Sequence, residues 1–316
     1  MCSSDLILEK EFVNESYGYR PERSAENALL RVRENCFRTS WVIDLDLKSY
    51  FDLIDHDILM DLVKKYTDSR EIILYVERFL KAKAVTQEEK QEEKKRESGT
   101  PQGGVISPLL ANLYLHEAFD KWMKKVFPDI SFTRYADDIV VNCVSVKQAE
   151  FILDRIEARL RKYKLKVNKE KTKIVYIGKD NLKSKRPRKF IFLGYCFKLR
   201  KFKNKIVFTP AVSKEALIVM NKKIKSWNLR SWVQFGIEAI ASEFDNIIRG
   251  WINYYSKFRA SELYKLAKML DYNIIKWIRS KYKIRSYIKA KKRLYDIKKP
   301  DRKSTRLNSS HQIISY

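Results

Sequence analysis

The 316-residue sequence predicts an α+β first part followed by an all-helical second part. Three observations carry that expectation. Apolar residues recur at helical spacing in several segments of the first 125 residues. Short alternating or continuous apolar runs lie between and after them. From residue 214 to about 299 the pattern is helical throughout, and the two parts meet near Pro210 with no internal repeat in either.

Taken in order, residues 25–37 place Ala28, Leu29 and Val32 on one helical face. Residues 41–47, WVIDLDL, alternate Val42, Asp44 and Asp46 against Ile43, Leu45 and Leu47, which is the period of a strand. Helices are predicted again around 56–66 and 70–80, and the polar, charge-balanced stretch 82–98 reads as a solvated hairpin or loop. Residues 108–125 read as one helix with Leu109, Leu110, Leu113 and Phe119 on one face. The run ISFTRYADDIVVNCV then predicts a hairpin with two acids at its tip. A helix over 146–164 and strands over 173–177 and 190–197 complete the first part, with the basic connector SKRPRK between the two strands.

Charge divides the chain more sharply than hydrophobicity does. Residues 1–150 hold 22 basic and 27 acidic groups, a net of −5, whereas 151–300 hold 41 and 11, a net of +30, in a chain whose total is +27. With 45% hydrophobic and 13% aromatic residues the chain is too apolar for a disordered basic tail. A polyanion is the partner such a half requires, and its cations interleave with Trp and Tyr, which favours nucleic acid over an anionic membrane surface. No run reaches the roughly 18–20 apolar residues of a membrane span, and the N-terminus has no signal-peptide pattern. The sequence therefore reads as cytoplasmic. Cys2, Cys36, Cys143 and Cys196, with His56, His116 and His311, show no paired metal spacing, so neither zinc nor a disulfide framework is expected.

Chemistry concentrates in three places. Asp46 ends an apolar strand, and Asp137 with Asp138 tips the hairpin. Carboxylates set against apolar strands are costly unless paired or bound to a cation, and oxygen donors without His or Cys favour Mg²⁺. Adjacent strand residues point to opposite faces, so one of the two hairpin acids is expected to face Asp46 while the other reaches the site from the turn. The chain has 8 glycines, of which three fall in GTPQGG at 99–104, marking backbone that something must approach closely. A lone Asp-Asp pair is ordinarily a solvated turn; here DLKSYFD, GTPQGG and YADD each occur once, in that order.

Those residues lie in blocks that together resemble reverse transcriptases of the group II intron type: SYGYRPERSAENAL, VIDLDLKSYFDLIDHDIL, GTPQGGVISPLLANLYL, FTRYADDIVV, LKVNKEKTKIV, FLGY and RGWINYYSKF. The PQGG and LLANLYL contexts favour intron-type enzymes over retrons or diversity-generating elements. The resemblance implies a right-hand polymerase with partial fingers (1–40), an antiparallel-sheet palm (41–209) and an all-helical thumb or maturase domain (210–300). It implies that Asp46, Asp137 and Asp138, with the carbonyl of Leu47, hold two Mg²⁺ ions, Mn²⁺ being a possible substitute. Phe51 would select deoxynucleotides, and Gln102, Gly103 and Gly104 would form the floor under the incoming nucleotide. Lys171 would contact its phosphates, or serve as proton donor to pyrophosphate. Tyr135 would lie near the primer end, Phe192, Leu193 and Gly194 would grip the primer, and Arg249, Lys257 and Arg259 would meet nucleic acid while Trp251 is mostly buried. His56 and His116 are expected to be structural.

The partners so implied are an intron RNA template, a DNA primer and deoxynucleoside triphosphates. Few residues precede the SYGYRP block and no DNA-binding or endonuclease block follows the thumb, so the sequence is expected to be shortened at both ends. Residues 301–311, DRKSTRLNSSH, resemble an in-frame translation of a short-read sequencing adapter. Two other functions fit parts of the pattern: an RNA-binding splicing cofactor that no longer polymerises, and a reverse transcriptase used in phage defence.

Overall fold

The computed structural model describes residues 8–82, 98–100, 104–178, 186–202 and 205–298. Contacts divide the chain into two units, one of residues 1–193 and 198–208, the other of 194–197 and 209–316.

In the first unit, helix α1 (Ala25–Arg38) starts on a reciprocal Ser24–Asn27 cap and leads into strand β1 (Trp41–Leu45). Short helix α2 (Tyr50–Leu53), then α3 (His56–Tyr66) and α4 (Arg70–Lys81), follow, the last two capped by Asp55 and Ser69. The segment expected to be one helix over 108–125 is a composite: α5 (Ser107–Leu115), a π-helical turn (His116–Asp120) and α6 (Lys121–Val126). The wide turn continues the burial of α5, with His116, Glu117, Ala118, Phe119 and Asp120 all buried. Strands β2 (Phe132–Tyr135) and β3 (Asp138–Cys143) form the hairpin, and α7 (Val146–Lys162) and β4 (Lys173–Tyr176) complete an antiparallel sheet of order β2-β3-β1-β4.

The central strand explains the sheet. Trp41, Ile43 and Leu45 join the large core with Leu113, Phe119, Ile152 and Ile156, while the alternate residues begin at buried Val42 and end at Asp44 and Asp46. Its register is Leu45 opposite Ile139 and Asp44 opposite Lys173.

A second sheet has the order β5-β6-β7, formed by Lys189–Phe192, Tyr195–Phe202 and Lys205–Val212. This corrects the single strand expected over 190–197. Leu193 and Gly194 both take positive φ, 49° and 76°, and reverse the chain between β5 and β6. The apolar run FIFLGYCF hides that turn. Strand β7 was not anticipated.

The second unit is helical: α8 (Lys214–Ser226), α9 (Ile237–Tyr255), α10 (Tyr264–Lys281) and α11 (Tyr287–Lys298), with two 3₁₀ turns. Its own core joins Leu217, Met220, Ile224, Phe244, Ile248, Leu270, Trp277 and Ile278. Trp227 stacks on Phe244 at 4.3 Å, and half-buried Trp251 stacks on Trp227 at 6.0 Å. No helix among the described residues is long and apolar enough to cross a membrane.

Candidate active site

The site grows from the end of β1. Asp46 lies one residue beyond the strand, and its main chain is held by the loop before β4. Its N–H donates to Thr172 Oγ1 at 3.1 Å, and its carbonyl accepts from the N–H of Asn168 at 2.9 Å. Lys48 N–H donates to the Lys166 carbonyl at 2.9 Å. Those two backbone bonds flank the Leu47–Val167 bridge, making it a non-hydrogen-bonded pair whose own amide and carbonyl turn away from that neighbour.

The other two acids come from the hairpin. Tyr135 pairs with Asp138, so Ala136 and Asp137 form a two-residue turn, and Ala136 adopts φ 54°. Carrying the Leu45–Ile139 register one step sets Asp46 across from Asp138, and the pleat puts Asp44, Asp46 and Asp138 on one face. Asp137 approaches from the turn. Lys171 reaches in from the loop before β4, its Nζ 3.6 Å from Asp46 Oδ2.

Electrostatics bind these groups together. The protein crowding Asp138 and then the charges of Asp137 and Asp46 push its carboxyl up to about 6, although the residue reaches solvent. Asp137 is raised first by burial and then by Asp46. Asp44, singled out in the sequence only as part of the alternation, is pushed up to about 7 by burial and by Asp138, against the pull of Lys173.

Among the described residues no group of three or more Asp, Glu, His or Cys side chains is gathered closely enough to hold a metal ion without other ligands. Mg²⁺ does not require one, since it is commonly held by one or two carboxylates together with substrate phosphates and water. The donors at hand are carboxylate and carbonyl oxygens, and their mutual repulsion is what a divalent cation relieves. The residues fit such an ion.

The remaining sequence-derived site residues fall as follows. Phe51 is half-buried, edge-on to Tyr50 at 5.4 Å, and its carbonyl accepts from Thr100 N–H at 2.9 Å. Gln102 and Gly103 lie outside the described residues, as do residues 83–97 and 301–311. At the two described glycines of that block the close approach is made by the chain itself. A Cβ on Gly99 (φ 85°) would meet the Asp52 backbone at 3.0 Å, and one on Gly104 the Phe79 ring at 2.4 Å. Phe192 is buried at the end of β5. Gly194 faces Tyr255, whose hydroxyl would lie 2.5 Å from an added Cβ.

On α9 and just after it, the Arg249 guanidinium is engaged by Asp245, Arg259 Nε stands 4.0 Å from Glu262, and Lys257 is exposed. His56 Nε2 is hydrogen-bonded to the Gly99 carbonyl at 2.7 Å, and His116 is fully buried.

Two groups were missed. The first is Arg134, wholly buried, with Asp120 and Asn112 around it. A cation inside an otherwise apolar strand, FTRY, was the available signal, because such a charge must be paired. The second is a cavity of about 490 Å³ in the helical unit lined by Arg230, Lys276, Arg279, Lys283 and Arg285 with no acid. Tyr272 lies beside it, with Lys276 Nζ 4.2 Å from its ring centre.

Residues 3–197 match the family described as reverse transcriptase (RNA-dependent DNA polymerase), and residues 218–295 match the group II intron maturase-specific domain. The chain belongs to the reverse transcriptase family and carries its right-hand polymerase fold together with a maturase domain.

Among named relatives it is 32% identical to protein YkfC of Escherichia coli, over 62% of this chain and 58% of that one. It is 25% identical to the group II intron-encoded protein LtrA of Lactococcus lactis, over 88% of this chain and 59% of the relative. It thus spans under three fifths of the length of each. A solved telomerase of Candida tropicalis, in complex with a fragment of telomeric RNA, aligns over 95% of this chain and 52% of its own at 16% identity and a TM-score of 0.47.

Proposed function

We propose that this chain carries the nucleotidyl-transfer and RNA-binding parts of a group II intron reverse transcriptase, copying intron RNA into DNA from a primer 3′-hydroxyl with deoxynucleoside triphosphates. The observation that carries the reading is the convergence of Asp46, Asp138 and the Asp137 turn at one end of the sheet, with Lys171 beside them. We place the reaction in the cytoplasm.

Asp46, Asp137 and Asp138, with the Leu47 carbonyl, would hold two Mg²⁺ ions, or Mn²⁺ in their place. When bound, such ions lower the pKa of the primer hydroxyl and neutralise charge on the triphosphate and leaving pyrophosphate. The protein's own contribution is positioning and charge. The loop 168–172 fixes the main chain of Asp46. Lys171, which stands 3.6 Å from Asp46 and is exposed, would contact a phosphate of the incoming nucleotide. Phe51 crowds the sugar 2′ position, and Gln102, Gly103 and Gly104 support the incoming nucleotide. Tyr135 lies beside the primer end and the 192–194 turn supports the primer strand.

A maturase role, assisting the folding of the intron RNA, is supported by the helical unit. Its five-cation cavity next to an exposed tyrosine combines phosphate neutralisation with a stacking surface.

Primer extension on an RNA template with Mg²⁺ tests the polymerase reading, comparing the parent chain with Asp137→Asn. Extension by the parent alone, at equal RNA affinity, is expected. Equal extension by both, or a parallel collapse of RNA binding in the variant, would refute it.

A further inference from the structure

The hairpin turn that carries Asp137 is held from behind. Arg134, wholly buried on β2, spreads its guanidinium over three partners. Nε and Nη2 donate to the two carboxylate oxygens of Asp120 at 2.8 and 2.5 Å. Nη1 donates to Asn112 Oδ1 at 2.9 Å and to the carbonyl of Ala136 at 3.0 Å. That carbonyl belongs to the peptide linking Ala136 to Asp137, inside the turn. Asn112 in turn donates from Nδ2 to the Gly18 carbonyl at 2.7 Å, and a Cβ on Gly18 would lie 2.4 Å from the Ala136 nitrogen. The turn is therefore gripped on one side by a guanidinium and braced on the other by a glycine backbone.

Each part of this grip needs the others. Asp120 closes the π-helical turn, lies fully buried and faces Arg134 there. The bidentate pairing fixes the plane of the guanidinium, which then leaves Nη1 aimed at Asn112 and the turn. Lysine has no equivalent fork. Ala136 sits at φ 54°, a conformation that a free alanine seldom holds, so an external anchor on its carbonyl has a conformational task to perform.

We propose that Arg134, Asp120 and Asn112 are positioning residues that hold the Ala136–Asp137 turn in its ion-binding geometry before any cation arrives. None of the three touches the reacting groups; they act through the turn. This rests on the reading of Asp46, Asp137 and Asp138 as ion ligands given above.

The test is Mn²⁺ binding by the whole chain, read from the electron paramagnetic resonance signal of free Mn²⁺, with thermal unfolding recorded in parallel. Asp137→Asn is expected to abolish the high-affinity binding. Replacing the buried pair by apolar residues, Arg134→Met with Asp120→Leu, keeps the volume filled without leaving a lone charge. It is expected to weaken Mn²⁺ binding on the order of tenfold, as loss of groups supporting metal ligands does. Asn112→Ala, which leaves the Arg134–Asp120 pair in place, provides the same measurement should the double variant fail to fold, with a several-fold weakening expected.

A folded double variant, or Asn112→Ala if that is the one that folds, whose affinity stays within twofold of the parent would overturn the inference, provided Asp137→Asn has lost binding. If Asp137→Asn binds as the parent does, the ligand reading fails and the inference falls with it.

Discussion

Replacing Gly18 by alanine puts the geometry of the hairpin turn under direct stress. The added Cβ would lie 2.4 Å from the Ala136 nitrogen, 3.1 Å from the Tyr135 carbonyl carbon and 3.2 Å from Ala136 Cα, whereas ordinary contact begins at 3.4 Å. The nearest atoms are backbone, so no side chain can swing aside. Either residues 15–18 or the turn must move by about 1 Å. The 15–18 segment is tied down by Tyr17 N–H to the Arg134 carbonyl and Arg134 N–H to the Glu15 carbonyl, both at 2.8 Å, and by Asn112 on Gly18. Against those three bonds the turn is held at the Ala136 carbonyl by the one bond from Arg134, and it is expected to yield.

Overpacking of this kind costs about 1–3 kcal/mol of stability. A displacement of about 1 Å at catalytic carboxylates is worth about 100-fold in rate, or about 2.7 kcal/mol of barrier. The assay is single-turnover primer extension at saturating RNA, normalised to folded protein, with a Mg²⁺ titration and thermal unfolding alongside. Gly250→Ala is the control, since nothing lies within 4 Å of its Cβ and a helical Gly→Ala change gains about 0.5–1 kcal/mol. It should raise the melting temperature and leave extension unchanged. Extension by folded Gly18→Ala within threefold of the parent would refute the claim that the Gly18 contact sets the position of the turn.

Three further outcomes are expected. Glu117 is buried, which raises its pKa, yet hydrogen bonds from Tyr66, Lys65 and Lys121 hold it down at about 2. Its stabilisation is then present above about pH 4.5 and lost as pH falls towards 2. Glu117→Gln should cost about 1–2 kcal/mol at neutral pH, allowing for the exposure of both lysines, and should flatten acid unfolding in that window. Gly194→Ala should destabilise the chain by about 1–2 kcal/mol in urea unfolding, because Gly194 sits at φ 76° and its Cβ would crowd the Tyr255 hydroxyl. Adding Tyr255→Phe should restore the crowding part only. Arg230→Ala with Lys276→Ala should weaken RNA binding and lower the slope of log affinity against log salt by about 1–2, with little dependence on RNA sequence. An unchanged slope would remove that cavity from the RNA footprint.

The acids could be read from the sequence because each is a local anomaly. Asp46 ends an apolar strand, and Asp137 with Asp138 interrupts an apolar hairpin. Strand period and charge sit in the same short window, so no long-range information is needed. The turn at Leu193–Gly194 failed for the opposite reason, since both flanking strands are apolar and a single glycine was the whole signal. The π-helical turn failed because its one extra residue shifts the helical face in mid-segment, and no glycine or proline marks the shift.

What positions the acids was harder to see, and the distances along the chain explain why. Arg134 draws its partners from 14 and 22 residues away, and the glycine bracing the turn lies more than a hundred residues upstream. No window of sequence contains the arrangement. Polar residues at such positions look ordinary on the page, because a buried charge differs from a solvated one only through the neighbours the fold brings to it. The same physics explains the division of labour in the first unit. Under the proposed function the ligand oxygens must stay accessible to solvent and substrate, and the acids assigned to that role lie at strand ends and in a turn, where their type alone marks them. The groups that orient those oxygens work best out of water, where a hydrogen bond has no competitor, and the interior that strengthens them also removes them from local sequence pattern.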